Sequence, residues 1–290
     1  MKTIIYFIGV VLTVLISISQ ADDCIAEPAA IAACDPCDAI DAALEARLNA
    51  LPAKLSELLD RIENRGAQLQ TLQADMLYEQ EQRLLDIREI RHGRLSYQNR
   101  DDRVLFRMHF YDWRQIDMET PEAQRPPAVK LDLDYAFDGQ WFIKRDARLK
   151  TLQRWEIAQG PSNVEAFRLG KGPFPLPFAI RKLDVVREFD VELIPTDAKR
   201  DPVGGSHLRL TPRAESSYAE EYKSLELWVD DKTAVPVKVR FEKEGFEVTA
   251  VTWTKLELDE LLDAKAFDLA PTNNDWTIET TPLKDAPVEP

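Results

Sequence analysis

Apolar residues occupy alternate positions in several separate segments of this 290-residue chain. Ala74, Met76 and Tyr78 form one such series. The same period recurs in the segments 104–110, 208–210, 225–229, 235–241 and 246–250. A period of two places neighbouring side chains on opposite faces of a strand, and many strands at short spacing are typical of antiparallel sheets. The sequence therefore predicts a large antiparallel sheet with one apolar face.

One hairpin of that sheet can be placed from its turn, in the segment "LDLDYAFDGQWFI" (131–143). The pair Asp138-Gly139 is a strong hairpin signal. A two-residue turn places Phe137 opposite Gln140 and Tyr135 opposite Phe142. One face of the hairpin is then continuously apolar, and it carries Leu131, Leu133, Tyr135, Phe137 and Phe142.

The predicted helices offer little cover for such a sheet. Leucines and isoleucine spaced three and four apart predict amphipathic helix over residues 44–62, where Pro52 ends one helix near Asn49 and a second begins at Leu51 or Pro52. Residues 182–189 predict a short lid helix. The expected fold class is α+β: a large curved antiparallel sheet, unclosed and half-barrel-like, covered by one long N-terminal helical stretch and the short lid helix.

A sheet with so little cover is expected to leave an apolar hollow on its inner face. The alternative is that the same side chains pack shut as an ordinary core, as most buried aromatic residues do. The residues expected to line a lipid-binding cavity are Met76, Tyr78, Leu95, Phe106, Met108, Phe110, Leu133, Tyr135, Phe137, Phe142, Leu227, Val237, Val239 and Phe241.

The N-terminus has the pattern of a secretory signal peptide. Lys2 precedes an apolar run over residues 4–18, and Ser19-Gln20-Ala21 ends in a small residue where cleavage is expected. A retained membrane anchor is the alternative. We expect residues 1–21 to be the signal peptide, 22–40 a flexible leader, 41–282 the folded domain and 283–290 a disordered tail, in an exported periplasmic protein.

The three cysteines all fall at or before residue 37. Cys34-Asp-Pro-Cys37 suggests redox or zinc chemistry, but zinc needs four ligands and no histidine lies nearby. A local disulfide, with Cys24 free or paired to another molecule, is the simpler interpretation.

Charge and motif content argue against two functional classes. The formal net charge of −14 disfavours nucleic-acid binding, which needs clustered Lys and Arg. The chain contains no Gly-rich phosphate loop, no nucleophile elbow and no paired metal-binding histidines. We therefore expect no enzymatic activity, no cofactor and no metal site.

Five segments, in order, resemble the periplasmic lipoprotein carriers of the LolA/LolB type. They are "LQADMLYEQ", "HGRLSYQ", "YAFDGQWFIKRDARLKTLQRW", "LRLTPRA" with "LELWVDDKTAVPVKVRFE", and "DAKAFDLAPTNNDWTI". They extend from the region of Leu51 to Ile278, which is most of the domain.

The resemblance implies an unclosed β-barrel around an apolar cavity that takes up the acyl chains of lipoproteins or other lipids and moves them between membranes. It implies a monomer that meets an inner-membrane release complex and an outer-membrane acceptor. It also implies an arginine that contacts the lid, for which Arg100 and Arg103 are equal candidates. A lipid-sensing or protein-binding envelope regulator on the same fold is the alternative function.

Overall fold

A computed structural model describes residues 36–100, 103–157, 178, 180–197, 201–202, 204–243, 245, 247–271, 273 and 275–282. Three α-helices lie in these residues: α1 (Pro36–Asn49), α2 (Ala53–Gln68) and α3 (Lys182–Glu188). The break predicted at Pro52 is present, because Pro52 stands immediately before α2. Helix α1 begins inside the segment expected to be a flexible leader. No helix in the described residues is long and apolar enough to cross a membrane.

Twelve strands in the described residues form one sheet. They are β1 (Thr71–Gln82), β2 (Ile87–Arg100), β3 (Arg103–Asp117), β4 (Val129–Phe137), β5 (Trp141–Asp146), β6 (Thr151–Glu156), β7 (Phe189–Ile194), β8 (Gly205–Pro212), β9 (Tyr222–Asp230), β10 (Pro236–Lys243), β11 (Glu247–Leu258) and β12 (Thr277–Thr281). Their order across the sheet is β12-β6-β5-β4-β3-β2-β1-β11-β10-β9-β8-β7. The two edges do not pair, so the sheet is open as expected. Every neighbouring pair is antiparallel except β12–β6, which is parallel.

The β4–β5 hairpin has a wider turn than predicted. Phe137 lies opposite Phe142 rather than Gln140, and Tyr135 lies opposite Lys144 rather than Phe142. The Asp138 carboxylate accepts hydrogen bonds from the backbone N–H groups of Gln140 and Trp141, which stabilises the longer loop. Because the register moves by two residues, each side chain keeps its predicted face.

The inner face of the sheet and the helices share one hydrophobic core. Helix α2 contributes Leu55, Leu58, Leu59 and Ile62, all buried, as a stripe along one side of the helix. Side chains from strands on both halves of the sheet belong to the same cluster, from Phe142 on β5 to Leu210 on β8. The α+β architecture and the covered inner face are therefore confirmed.

Candidate functional site: the covered inner face

The side chains predicted to line a cavity lie together on the inner face. Met76, Tyr78, Leu95, Phe106, Phe110, Leu133, Tyr135, Phe137, Phe142, Leu227 and Val239 are buried members of the core cluster, and Met108 and Phe241 are half-buried against it. Val237 is half-buried and is not part of the cluster. The surface is closed in this structure, because Phe110 and Phe137 have no exposed area. Their role as lipid-binding residues stays a prediction.

Aromatic rings from five strands of this face form a row that runs from β1 to β6, with no ring contributed by β2. The ring centroids of Tyr78 and Phe110 are 6.0 Å apart, those of Phe110 and Tyr135 6.2 Å, and those of Tyr135 and Phe142 6.3 Å. Phe142 continues to Trp155 on β6 at 6.2 Å. Each contact is within the range of ordinary aromatic packing, so the row is a broad apolar surface, and the Arg91 guanidinium of β2 lies over its first two rings.

Helix α2 together with Phe178 covers part of the inner face. The Phe178 ring is 5.4 Å from Trp253 on β11 and 5.8 Å from Tyr97 on β2, measured between centroids. Gly66 of α2 lies against the Phe178 backbone so closely that a Cβ atom there would fall on the Phe178 carbonyl oxygen. Gly66 thus permits the close approach that seats the cover.

Polar contacts join α2 to the sheet and α3 to α2. The Arg65 guanidinium of α2 donates to Asp259 at 2.7 Å. Lys182 of α3 donates to both carboxylate oxygens of Asp60 at 2.8 and 2.9 Å and to the Ser56 hydroxyl at 2.7 Å. These pairs are partly exposed, and such pairs each contribute about 0–1 kcal/mol.

An open cavity of about 520 Å³ lies beside the junction of α2 and β1. Gln70, Thr71, Asn99 and Asp259 are among its lining residues. Asp259 also accepts a hydrogen bond from the Gln70 backbone N–H at 2.9 Å. Burial raises the pKa of Asp259, but the hydrogen bond from Gln70 and the charge of Arg65 outweigh burial and hold the pKa below its usual value. This cavity adjoins the point at which the cover meets the sheet.

One end of the inner face carries buried polar groups. The Arg91 guanidinium donates to Glu89 at 2.8 Å and lies over the Tyr78 and Phe110 rings, 5.5 and 5.9 Å from their centroids. The Trp113 indole N–H donates to the other Glu89 oxygen at 3.0 Å. Lys144 is also buried on this face, opposite Tyr135. The inner face is thus apolar along most of its length and charged at one end.

The outer face holds a separate charge cluster around Asp134, which is fully buried. Arg107 and His109 lie 2.7 and 2.9 Å from one Asp134 oxygen, and Arg145 donates to the other at 2.8 Å. Burial raises the pKa of Asp134, but the hydrogen bonds from His109 and Arg107 lower it below its usual value. His109, Asp132 and Asp134 are close enough together for a metal ion. Two arginines already bind Asp134, however, and Arg107 also donates to the Ala266 carbonyl at 3.1 Å, which fastens the C-terminal segment to the sheet.

Several predicted features fall outside the described residues. The backbones of Arg100 and Arg103 pair at the ends of β2 and β3, but their side chains are outside the description, as is the cysteine-containing leader before Pro36. The signal peptide, the tail after residue 282 and most of the Pro-rich segment "GPFPLPF" are likewise outside it; Phe178 is inside.

Sequence reasoning missed the charged groups of the inner face. Lys144 was not singled out, although it stands two residues after Phe142 and therefore points to the same face. Glu89 and Arg91 stand six and four residues before Leu95 on β2, and residues an even number of positions apart on a strand share a face. A count of alternate positions through each strand would have found all three.

No protein-family model matches the chain, and no curated protein matches it. Among solved structures, an uncharacterised conserved protein from Thermus thermophilus is 14% identical over 78% of this chain and 99% of that one, with a TM-score of 0.43. Pseudomonas aeruginosa MucB, in a complex with MucA, is 15% identical over 75% of this chain with a TM-score of 0.41, and the match spans 62% of that chain, less than two thirds. A LolA superfamily protein from Nitrosomonas europaea is 12% identical over 76% of this chain and 98% of that one, with a TM-score of 0.30. A protein of the family that the sequence resembles is therefore among the solved structures similar to this chain.

Proposed function

We propose that this protein is an exported carrier that binds acyl chains on the inner face of its sheet and moves lipids, or lipid-modified proteins, between membranes. The observation that supports this proposal is the chemistry of the cover. Aliphatic side chains of an amphipathic helix cover an apolar sheet face. The methylene groups of a hydrocarbon chain can make the same contacts with that face in their place. In the proposed cycle, α2 and Phe178 cover the face when it is empty and move aside when an acyl chain binds.

The energies of cover and guest are of similar size. The four buried side chains of α2 each contribute about 1.5–3 kcal/mol on burial, or about 6–12 kcal/mol together. An acyl chain gains about 0.8 kcal/mol for each methylene that leaves water, so a chain of sixteen carbons gains about 12 kcal/mol. The free energy that such an acyl chain gains is therefore similar to the free energy lost when the cover moves aside, so that both the closed form and the guest-bound form are accessible.

The fastening of the cover is compatible with this exchange. Arg65–Asp259 and the hydrogen bond from Arg61 to the Asp231 carbonyl link α2 to the ends of strands, whereas Lys182–Asp60 joins α3 to α2. Exposed pairs of this kind form and break at little cost. The direct connection of α2 to β1 through Leu69 and Gln70 provides one point about which the helix can swing.

Binding is tested with the purified protein and a neutral fluorescent dye, 1-aminoanthracene, displaced by lipids with saturated tails. We expect dye binding at micromolar concentration, displacement by fatty acids, and faster lipid transfer between donor and acceptor vesicles when the protein is present. Lipid extracted from protein isolated from the cell envelope and weighed by mass spectrometry identifies the natural guest. Absence of dye binding together with absence of extracted lipid would refute the carrier function.

Two substitutions on the same strand locate the site. Phe241 is half-buried against the core cluster, whereas Val237 is half-buried outside it. Phe241→Asp places a charge beside the proposed guest, and we expect it to weaken dye binding by about tenfold or more, because an unpaired charge next to hydrocarbon costs at least 1–3 kcal/mol. Val237→Asp is the matched control, with dye affinity close to that of the unaltered protein. Equal effects of both changes would move the site away from the cluster.

A further inference from the structure

Lys144 occupies an unusual position for a lysine. It lies on β5 with its side chain on the inner face, directly between Tyr135 on β4 and Gln153 on β6. Its neighbour along the strand on that face is Phe142, a member of the aromatic row. Only 7% of Lys144 is exposed. Lysine is almost never buried to this extent unless its ammonium group is paired.

No such pair is present in the described part of the chain. Neither a hydrogen-bond acceptor nor a carboxylate lies within bonding distance of the Lys144 ammonium among these residues, and both Asp146, whose charge attracts it, and Glu89 accept hydrogen bonds from other groups. Asp146 accepts hydrogen bonds from the backbone N–H groups of Arg148 and Leu149 at 3.0 and 3.1 Å, which closes the β5–β6 turn. Glu89 is bound by Arg91 and Trp113.

The surroundings of Lys144 favour a negative guest. Burial lowers the pKa of Lys144, the attraction of Asp146 opposes this shift without cancelling it, and the positive charge of Arg91 adds to the lowering. An arriving anion would relieve both the desolvation of the ammonium group and its repulsion from Arg91. Burial also raises the pKa of Tyr135, opposite Lys144, to about 12, so its hydroxyl stays protonated as a hydrogen-bond donor at neutral pH.

We propose that Lys144 binds the anionic head group of an amphiphile whose hydrocarbon tail lies along the aromatic side chains of the inner face. This inference rests on the proposed acyl-chain binding and narrows it to guests that carry a carboxylate or a phosphate. The direction of the guest follows from the strand. The head group lies at the charged end with Lys144, and the tail runs over Phe142 and Phe137 towards Phe106, whose ring centroid is 6.3 Å from that of Phe137.

Three ligands with one tail separate the head group from the hydrocarbon: dodecanoate, dodecyl phosphate and dodecanol. Each displaces 1-aminoanthracene from the full protein at neutral pH. We expect at least one of the two anions to bind about tenfold more tightly than dodecanol, which is the effect of one charge-assisted hydrogen bond. A preference for dodecanoate indicates a fatty-acid guest, and a preference for dodecyl phosphate indicates a phosphorylated lipid.

Three variants assign that preference to Lys144. Lys144→Met should abolish the preference and leave dodecanol affinity unchanged, whereas Lys144→Arg should retain it. Lys130→Met, at an exposed position on β4, is the matched control and should behave like the unaltered protein. Lys144→Met should also raise the midpoint of thermal unfolding, because it replaces a largely desolvated ammonium group with an apolar side chain.

The outcomes distinguish the two proposals. Equal affinity for the three ligands, or a preference that survives in Lys144→Met, overturns the role of Lys144 and leaves acyl-chain binding intact. Failure of every ligand to displace the bound dye overturns acyl-chain binding itself, as does absence of dye binding together with absence of extracted lipid.

Discussion

Truncation of a side chain in the cover should lower folding stability and at the same time raise affinity for the guest, and Leu59 is the most direct choice. Leu59 is 2% exposed and lies in the middle of the apolar stripe of α2. Leu59→Ala removes its contacts and leaves a void, which costs about 2–5 kcal/mol of folding stability. The loss falls on the closed form, since the Leu59 contact with the sheet is absent once the cover has moved aside.

The expected gain in affinity follows from the same number. When a guest binds only the open form, the apparent dissociation constant varies inversely with the fraction of open molecules. A loss of about 2 kcal/mol from the closed form raises that fraction, and hence the affinity, by up to about thirtyfold. Leu59→Ala is therefore expected to be less stable to urea and at the same time to bind 1-aminoanthracene more tightly.

The matched control is Leu208→Ala on β8. Leu208 is fully buried in the same cluster but lies on the sheet. Its truncation therefore removes contacts with the cover in the closed form and contacts with the guest in the open form. The free energy of unfolding of the Leu208→Ala variant should fall by a similar amount, while its affinity for the dye stays the same or falls. If Leu59→Ala binds the dye no more tightly than the unaltered protein, α2 is an ordinary part of the core and the reasoning about a displaceable cover is wrong.

Two further predictions concern the outer face and the seat of the cover. Asp134→Asn should lower the free energy of unfolding by about 3–5 kcal/mol at neutral pH, because Arg107 and Arg145 lose their shared buried carboxylate. Because the pKa of Asp134 is lowered in the folded protein, its charge stabilises the fold above the pKa of an unfolded aspartate, and this stabilisation is lost as the pH falls through the folded-state pKa. The free energy of unfolding in urea should therefore fall less on acidification in the variant than in the unaltered protein. Asp132→Asn, at a partly exposed carboxylate 3.2 Å from Arg145, is the control and should cost less than about 1 kcal/mol; a similar loss in both variants would contradict the special role of Asp134. Gly66→Ala should push the Phe178 backbone away from α2, cost about 1–3 kcal/mol in thermal unfolding and increase dye affinity, and an unchanged dye affinity would show that Phe178 is not part of the cover.

The sheet was predictable from the sequence because period two is a local signal. Each alternating segment around Met76, Phe106 and Leu227 lies within an observed strand, and the faces assigned to them are correct. The break at Pro52 was also predictable, since proline fixes the backbone where a helix begins, and the helix predicted over residues 182–189 is present as α3.

The turn of the β4–β5 hairpin was not predictable in the same way. The Asp138-Gly139 pair is compatible with turns of several lengths, and the choice depends on the hydrogen bonds of the Asp138 carboxylate. The parallel pairing of β12 with β6 depends on where the long C-terminal segment returns, which no local pattern specifies. The charge of Lys144 was visible, but its lack of a partner depends on the bonds that Asp146 and Glu89 make elsewhere.

The unpaired edges β7 and β12 have a consequence for the range of guests that the proposed carrier would bind. A closed barrel has a radius fixed by its strand number and stagger. This sheet has no seam between its first and last strands, so small changes of twist at each strand pair can widen or narrow its bend while every ladder hydrogen bond remains intact. The bend of the sheet is therefore adjustable, and under the proposed carrier function the same sheet would accommodate one acyl tail or several.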